Sequence, residues 1–258
     1  MLAQSVLGLF FQAEYRDVDW IRATWLGNDW VTLGLAVPLL VGALVLAAGG
    51  SIRGLLLWLG MLGFAAYNYA YYLFGAALNV FFPLYVSALV LSGVALIQML
   101  SHIDVLAMAG RFRSDTPVRA IGGYLAFVGV ALAAVWLSMW AAYAFAGRPT
   151  PIEPEAFKLV AALDLTVMVT TLTVGGALLW QRRPWGYVLA AIAGVQGSRY
   201  LLVLSVNSAL AIHRGAAEPP GELRMWGSLA VLTITATLLL LVGVRSESTG
   251  SVRCDRRG

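Results

Sequence analysis

Charge is scarce in this chain. Only 12% of its 258 residues are Asp, Glu, Lys or Arg, against about a quarter in soluble domains. Hydrophobic residues make up 60%, and the mean hydropathy is +0.81. A soluble fold of this length has too little polar surface to cover so much apolar material. Lipid is the covering these numbers require. The apolar runs are continuous and reach the ~20 residues that cross a hydrocarbon core as helix. They do not show the ~10-residue alternation of barrel strands.

Other shortages narrow the chemistry. There is one cysteine, Cys254, so no disulfide framework or thiolate metal site forms within the chain. The only two histidines, His102 and His213, fall near opposite membrane faces and cannot share a haem or metal ion. The single lysine, Lys158, lies at the start of a span and not inside one. That excludes a buried Schiff base, and with it retinal binding, despite the number of spans. No G-x-S-x-G, H-E-x-x-H or Walker pattern occurs, and no histidine lies at the depth of the serine in "QGSRY" to activate it. No catalytic residue, cofactor or metal is expected. The formal net charge is +4, but the arginines sit in short loops, which suggests topology control and no nucleic-acid partner.

What is present reads as an all-α integral membrane protein, a seven-transmembrane-helix bundle. The spans are Trp30–Ala48, with a kink at Pro38, then Leu55–Phe74, Val80–Leu100, Ile121–Ala144, Phe157–Trp180, Trp185–Asn207 and Met225–Val244. Residues 1–29 form an outer amphipathic segment, 30–244 the bundle and 245–258 a polar cytoplasmic tail, together one domain. "MLAQSVLGLFF" lacks the basic start of a secretory signal. In "QAEYRDVDWIRATW" and just before it, Phe11, Tyr15, Val18 and Ile21 recur at helical spacing. That predicts an N-terminal amphipathic interfacial helix, or a lid over the outer face. "LLVGALVLAAGG" in the first span and "LTVGGALLWQRR" in the fifth share a VGA/VGG core, the pattern of two three-span units around a linker span.

Lys and Arg set the expected orientation. The connections after spans one, three and five, with the tail, carry ten: Arg53, Arg111, Arg113, Arg119, Arg182, Arg183, Arg245, Arg253, Arg256 and Arg257. The opposite side carries six, diluted by acidic residues that include Asp29. The positive-inside rule places the N-terminus outside and the C-terminus in the cytoplasm, in a plasma (cytoplasmic) membrane.

Polar groups inside the spans point to a site. "YNYAYYLFGAALN" places Asn68, Tyr72, Gly75 and Asn79 on one helical stripe. Asp164 and Arg199 are charges at membrane depth, and such charges face the bundle and need partners. Counted at 1.5 Å per residue, Asp164 lies roughly 10 Å and Arg199 roughly 12 Å below the outer face, on antiparallel neighbours. The expectation is an Asp164–Arg199 pair inside an outer-leaflet polar and aromatic pocket formed by Asn68, Tyr72, Asn79, Asp164, Gln196, Arg199 and Tyr200. Tyr67, Tyr71, Trp136 and Trp140 would add aromatic walls. The leading function is binding or translocation of a small molecule or ion. The alternatives are a structural or regulatory subunit of a membrane complex, partnered by another membrane protein or by further copies, and an intramembrane lipid-modifying enzyme.

The topology makes a direct prediction. As the sole thiol, Cys254 should react with an impermeant maleimide in inverted membranes and stay unlabelled in intact cells. Labelling of intact cells reverses the orientation.

Overall fold

The computed structural model describes residues 1–213 and 221–245. Helix α1 (Leu2–Phe10) is followed by a 3-10 turn at Gln12–Glu14. Then α2 (Asp19–Val31) continues through a π segment, Thr32–Ala36, into α3 (Val37–Ala48). The remaining helices are α4 (Ile52–Gly75), α5 (Phe82–His102), α6 (Val105–Gly110), α7 (Val118–Ala146), α8 (Pro154–Leu163), α9 (Thr170–Trp180), α10 (Pro184–His213) and α11 (Gly221–Val242). A second π segment, Asp164–Val169, joins α8 to α9.

Among the described residues, six helices are long and apolar enough to cross a membrane: Thr24–Ala48, Phe82–His102, Val118–Ala146, Pro154–Trp180, Pro184–Ala209 and Gly221–Val242. Helix α4 is 24 residues long, but Tyr67, Asn68, Tyr69, Tyr71 and Tyr72 lower its hydropathy, and it is not one of the six. Apolar side chains that face away from the protein recur at helical spacing: Val41, Leu44 and Val45 on α3, and Val90, Leu91, Val94 and Ile97 on α5. Such stripes suit lipid contact.

The N-terminal region differs from the expected interfacial helix. Residues Phe11 to Val18 form a 3-10 turn and extended chain, and the helix that follows runs straight into a span. Phe11 and Val18 are exposed while Tyr15 is buried, so the apolar face anticipated there does not form. The helix that does form, α1, turns its polar and small residues inward: Gln4, Ser5 and Gly8 are buried, and Leu2 and Phe10 are exposed. Pro38 comes directly after the first π segment. Its ring excludes the normal approach of the carbonyl four residues back, and the segment closes instead through Val37 N–H to the Thr32 carbonyl.

Helix α10 lies at the centre. In its apolar window 72% of residues are buried, against 11–33% in the other five spans, so polar groups on α10 face protein. It packs on α4, α9 and α11, α4 packs on α3 and α5, and α7 lies against α9. The start of α4, the connection between α6 and α7 and the chain following α11 meet at one end. Arg53 donates to the carbonyls of Val242 and Val244, the last of α11 and beyond, and Arg113 N–H donates to Gly243. A cation at a helix C-terminus is favourable.

Two stretches correspond at an offset of 132 positions, Thr32 to Asp164. The π segments begin at those residues. The helices after them end at Ala48 and Trp180, and the next begin at Ile52 and Pro184. Gly50 and Arg182 in the two turns both take positive φ, 83° and 58°. Gly54 and Gly186 both lie against the last turn of the preceding helix. Contacts cross the two units reciprocally, α10 with α2 and α4 with α8. The VGA/VGG match pairs Val41 with Val174, an offset of 133, and is therefore one residue out of register. Repeated apolar letters align at several offsets, whereas the π segments and turns fix one.

Close packing of α7 on α9 depends on paired glycines. A Cβ on Gly176 would lie 2.7 Å from the Gly122 carbonyl oxygen, and one on Gly122 would lie 2.6 Å from that of Gly176. Gly176→Ala should cost about 1–3 kcal/mol, as overpacking does, read as a lower melting temperature in detergent. Gly123→Ala, with nothing within 4 Å, should not. Equal losses would remove the close approach as the cause.

Candidate functional site

Two carboxylates are fully buried at the α1 end of the bundle, Asp29 and Asp164, each at 0% exposure. Both are held by uncharged donors. Asp164 stands at the start of the second π segment. It accepts hydrogen bonds from the Tyr67 hydroxyl at 2.5 Å, the Trp136 indole N–H at 2.9 Å and the Tyr200 hydroxyl at 3.1 Å. Tyr67 and Tyr200 also meet edge to face, with centroids 5.9 Å apart. Three donors from α4, α7 and α10 thus converge on one side chain.

Asp29 has a matching shell. Gln4 Nε2 and the Tyr72 hydroxyl each donate to Oδ1 at 3.0 Å, and the Tyr15 hydroxyl donates to Oδ2. Tyr69 donates to Gln4 Oε1 at 2.9 Å, which fixes that amide from behind. Trp25 stacks on Tyr72 at 4.6 Å. Burial first, then the neighbouring Asp29 charge, pushes the Tyr15 hydroxyl well above its ordinary pKa, so it remains a proton donor. Gly8 allows the approach of α1, because a Cβ there would run into Asp29 Oδ2 and the Tyr15 hydroxyl.

Arg199 is 2% exposed and is not paired with Asp164, contrary to expectation. Its Nη2 donates to the Val31 carbonyl at 3.4 Å, and its guanidinium carbon lies 4.8 Å from the centre of the Phe64 ring. Its Nε and Nη1 have no partner. The physical reason is direction. The two residues lie at similar depth, but Asp164 faces Tyr67 and Trp136 while Arg199 turns toward α2.

The other expected site residues divide among these groups. Tyr200 belongs to the Asp164 shell and Tyr72 to the Asp29 shell. Asn68 and Gln196 are buried at 5% and 2%, and Asn68 Nδ2 and Gln196 Nε2 have no partner. Asn79 stands apart. Helix α4 ends at Gly75, so the stripe does not reach it. Its Oδ1 instead accepts from Phe81 N–H at 2.9 Å, and its Nδ2 lies 3.4 Å from the Tyr85 hydroxyl. Of the expected aromatic walls, Trp136 reaches Asp164 and Tyr71 meets Trp25, whereas Trp140 is half exposed.

No protein-family model, curated protein or solved structure matches the chain. Among the described residues no group of three His, Cys, Asp or Glu gathers to hold a metal ion. A cleft of about 300 Å³ exists at the opposite end, lined by Ile52, Met99, His102, Asp104 and Arg111 among others, away from both carboxylates.

The sequence reading missed Asp29, Gln4 and Tyr15. Asp29 was assigned to the outer loop because the apolar run begins one residue after it. A signal was present in "MLAQSVLGLFF", where Gln4, Ser5 and Gly8 share one face of an otherwise apolar helix.

The two shells should respond separately. Tyr67→Phe and Tyr72→Phe each remove one donor from a buried carboxylate and should each cost about 1–3 kcal/mol. A double-mutant cycle of Tyr67→Phe with Asp164→Asn should show a coupling of about 0.5–3 kcal/mol, the range for residues in contact. Asp164→Asn with Arg199→Gln should show much less. Strong coupling in the second cycle would restore the ion pair.

Proposed function

We propose that the protein is a seven-span membrane protein that binds or translocates a small molecule or ion through its polar interior. Helix α4 supplies the additional span. Its tyrosines and Asn68 turn inward, so its low hydropathy reflects a protein-facing surface and not an aqueous one. In the proposed orientation α1 docks at the outer face and the C-terminus is cytoplasmic, in the plasma membrane. Asn68, Asp164, Gln196, Arg199 and Tyr200 line the interior, and Tyr72 with Asp29 backs it.

The observation that carries this reading is Arg199. A charge inside a membrane helix costs at least ~2.5 kcal/mol on insertion scales. A merely structural arginine would be expected to find a carboxylate, since leaving a buried charge unpaired is strongly destabilising. Here two carboxylates in the same half of the bundle each accept three hydrogen bonds from uncharged donors, and two guanidinium nitrogens have no partner among the described residues. Such an arrangement suits a ligand that supplies the missing acceptor. The enclosure of all three charges favours a second reading, a static subunit of a membrane complex.

Accessibility separates the two. In a Cys254→Ser background, Asn68→Cys should react slowly with a small impermeant thiol reagent applied to the outer face, as the interior opens. Folded protein that stays unlabelled over hours, while a cysteine placed on the exposed Phe10 reacts, would support the static subunit and overturn the binding or translocation reading.

A further inference from the structure

We infer that Arg199, Asn68 and Gln196 form a buried site for a small monovalent anion, in the half of the molecule that lacks the carboxylate present in the other. This deepens the proposed polar interior and rests on it. The two units correspond at an offset of 132 positions. Asp164 corresponds to Thr32, and Tyr67 corresponds to Arg199. In one half, Tyr67 on α4 reaches across to the π segment of the other unit and donates to Asp164. In the other half, Arg199 on α10 reaches across to the same place on the first unit. It finds Thr32 where Asp164 would be, and among the described residues its one hydrogen-bond acceptor is the Val31 carbonyl at 3.4 Å. The donor position holds a cation, and the acid position holds a threonine.

The surrounding groups share this lack of an acceptor. Gln196 precedes Arg199 by one helical turn on α10, and its Oε1 lies at α4, 3.4 Å from where a Cβ on Gly63 would stand. Asn68 follows Phe64 by one turn on α4, and the Phe64 ring lies under the guanidinium. The three residues therefore face the junction of α4, α10 and α2. Their unpartnered atoms are Arg199 Nε and Nη1, Asn68 Nδ2 and Gln196 Nε2, which are all donors, and all three residues are at 5% exposure or less. Buried donors need acceptors, and hydrogen bonds that involve an ionised group are the strong ones. One positive charge beside two neutral amides calls for a single negative charge. The enclosing side chains Phe64, Ala36, Met61 and Val195 pack as one apolar cluster, which favours an anion that sheds its water easily. Neither Asp29 nor Asp164 serves this role: each takes its hydrogen bonds from other side chains, and Arg199 meets the Val31 carbonyl instead.

The test uses the full-length protein in detergent, with unfolding followed by tryptophan fluorescence. Sodium chloride, bromide and formate are compared with sodium gluconate at equal ionic strength. Chloride, bromide or formate should raise the melting temperature over gluconate, with an increment that grows as the logarithm of concentration above half-saturation. Asn68→Leu and Gln196→Leu should each weaken half-saturation roughly tenfold or more, as loss of a hydrogen bond to a charged group does. Arg199→Gln should abolish the increment. If Arg199→Gln does not fold, the two amide variants decide. Gly176→Ala, at the contact of α7 with α9, should lower the starting temperature and keep the increment. No difference between gluconate and all three small anions in the wild type, or an increment unchanged in the amide variants, overturns the anion site. Anion stabilisation without thiol labelling of Asn68→Cys retains this site and removes the opening interior. Labelling without anion stabilisation does the reverse.

Discussion

A carboxylate enclosed by membrane-spanning helices keeps its place only when neighbours replace the hydrogen bonds of water. At both buried acids this protein meets the demand with tyrosine, tryptophan and glutamine and not with a cation. Much of the architecture at that end follows. Helix α4 carries tyrosines at the expense of its hydropathy because Tyr67 and Tyr72 serve different acids. Helix α1 turns polar residues inward because Gln4 must reach Asp29. Gly8 is required where α1 meets that acid, since any side chain would occupy the carboxylate's own space.

The two π segments belong to the same constraint. Such segments are rare and occur frequently at functional sites. One begins at Asp164, and the other lies just after Asp29, facing Arg199. Their equivalent positions in two corresponding units make the departures between the units informative. Where the units agree, at the turns and at the glycines Gly54 and Gly186, the cause is packing that any such pair of helices needs. Where they differ, Asp164 against Thr32 and Tyr67 against Arg199, packing alone gives no reason for the exchange of a hydroxyl for a guanidinium.

The polar groups of the spans were legible in the sequence, and Asn68, Asp164, Gln196 and Arg199 are all buried. Counting residues from span ends placed Asn68, Asp164, Gln196 and Arg199 at a shared depth. The same arithmetic failed on partners, because depth along a helix says nothing of its rotation about its own axis. Asp164 and Arg199 are level with each other and face different neighbours. The Asn68–Asn79 stripe assumed a helix that continues past Gly75. The chain ends that helix and uses Asn79 to hold Phe81 N–H in the next turn. Asp29 was hidden by its position at the edge of an apolar run, where hydropathy reads a boundary and the fold places a covered interior.

By itself the sequence determined the class: an all-helical protein with apolar spans of sufficient length and arginines in the connections between them. Those properties are local. They depend on composition, on helical period and on how far a run of residues extends. Only the tertiary structure decided which donors met which acid, that α10 stands at the centre, that α1 closes over Asp29, and that Arg199 faces a carbonyl in place of a carboxylate. Each of these depends on the rotation and contact of helices distant in sequence. The packing of small residues such as Gly122 against Gly176 helps set those quantities, and no window along the chain contains both partners.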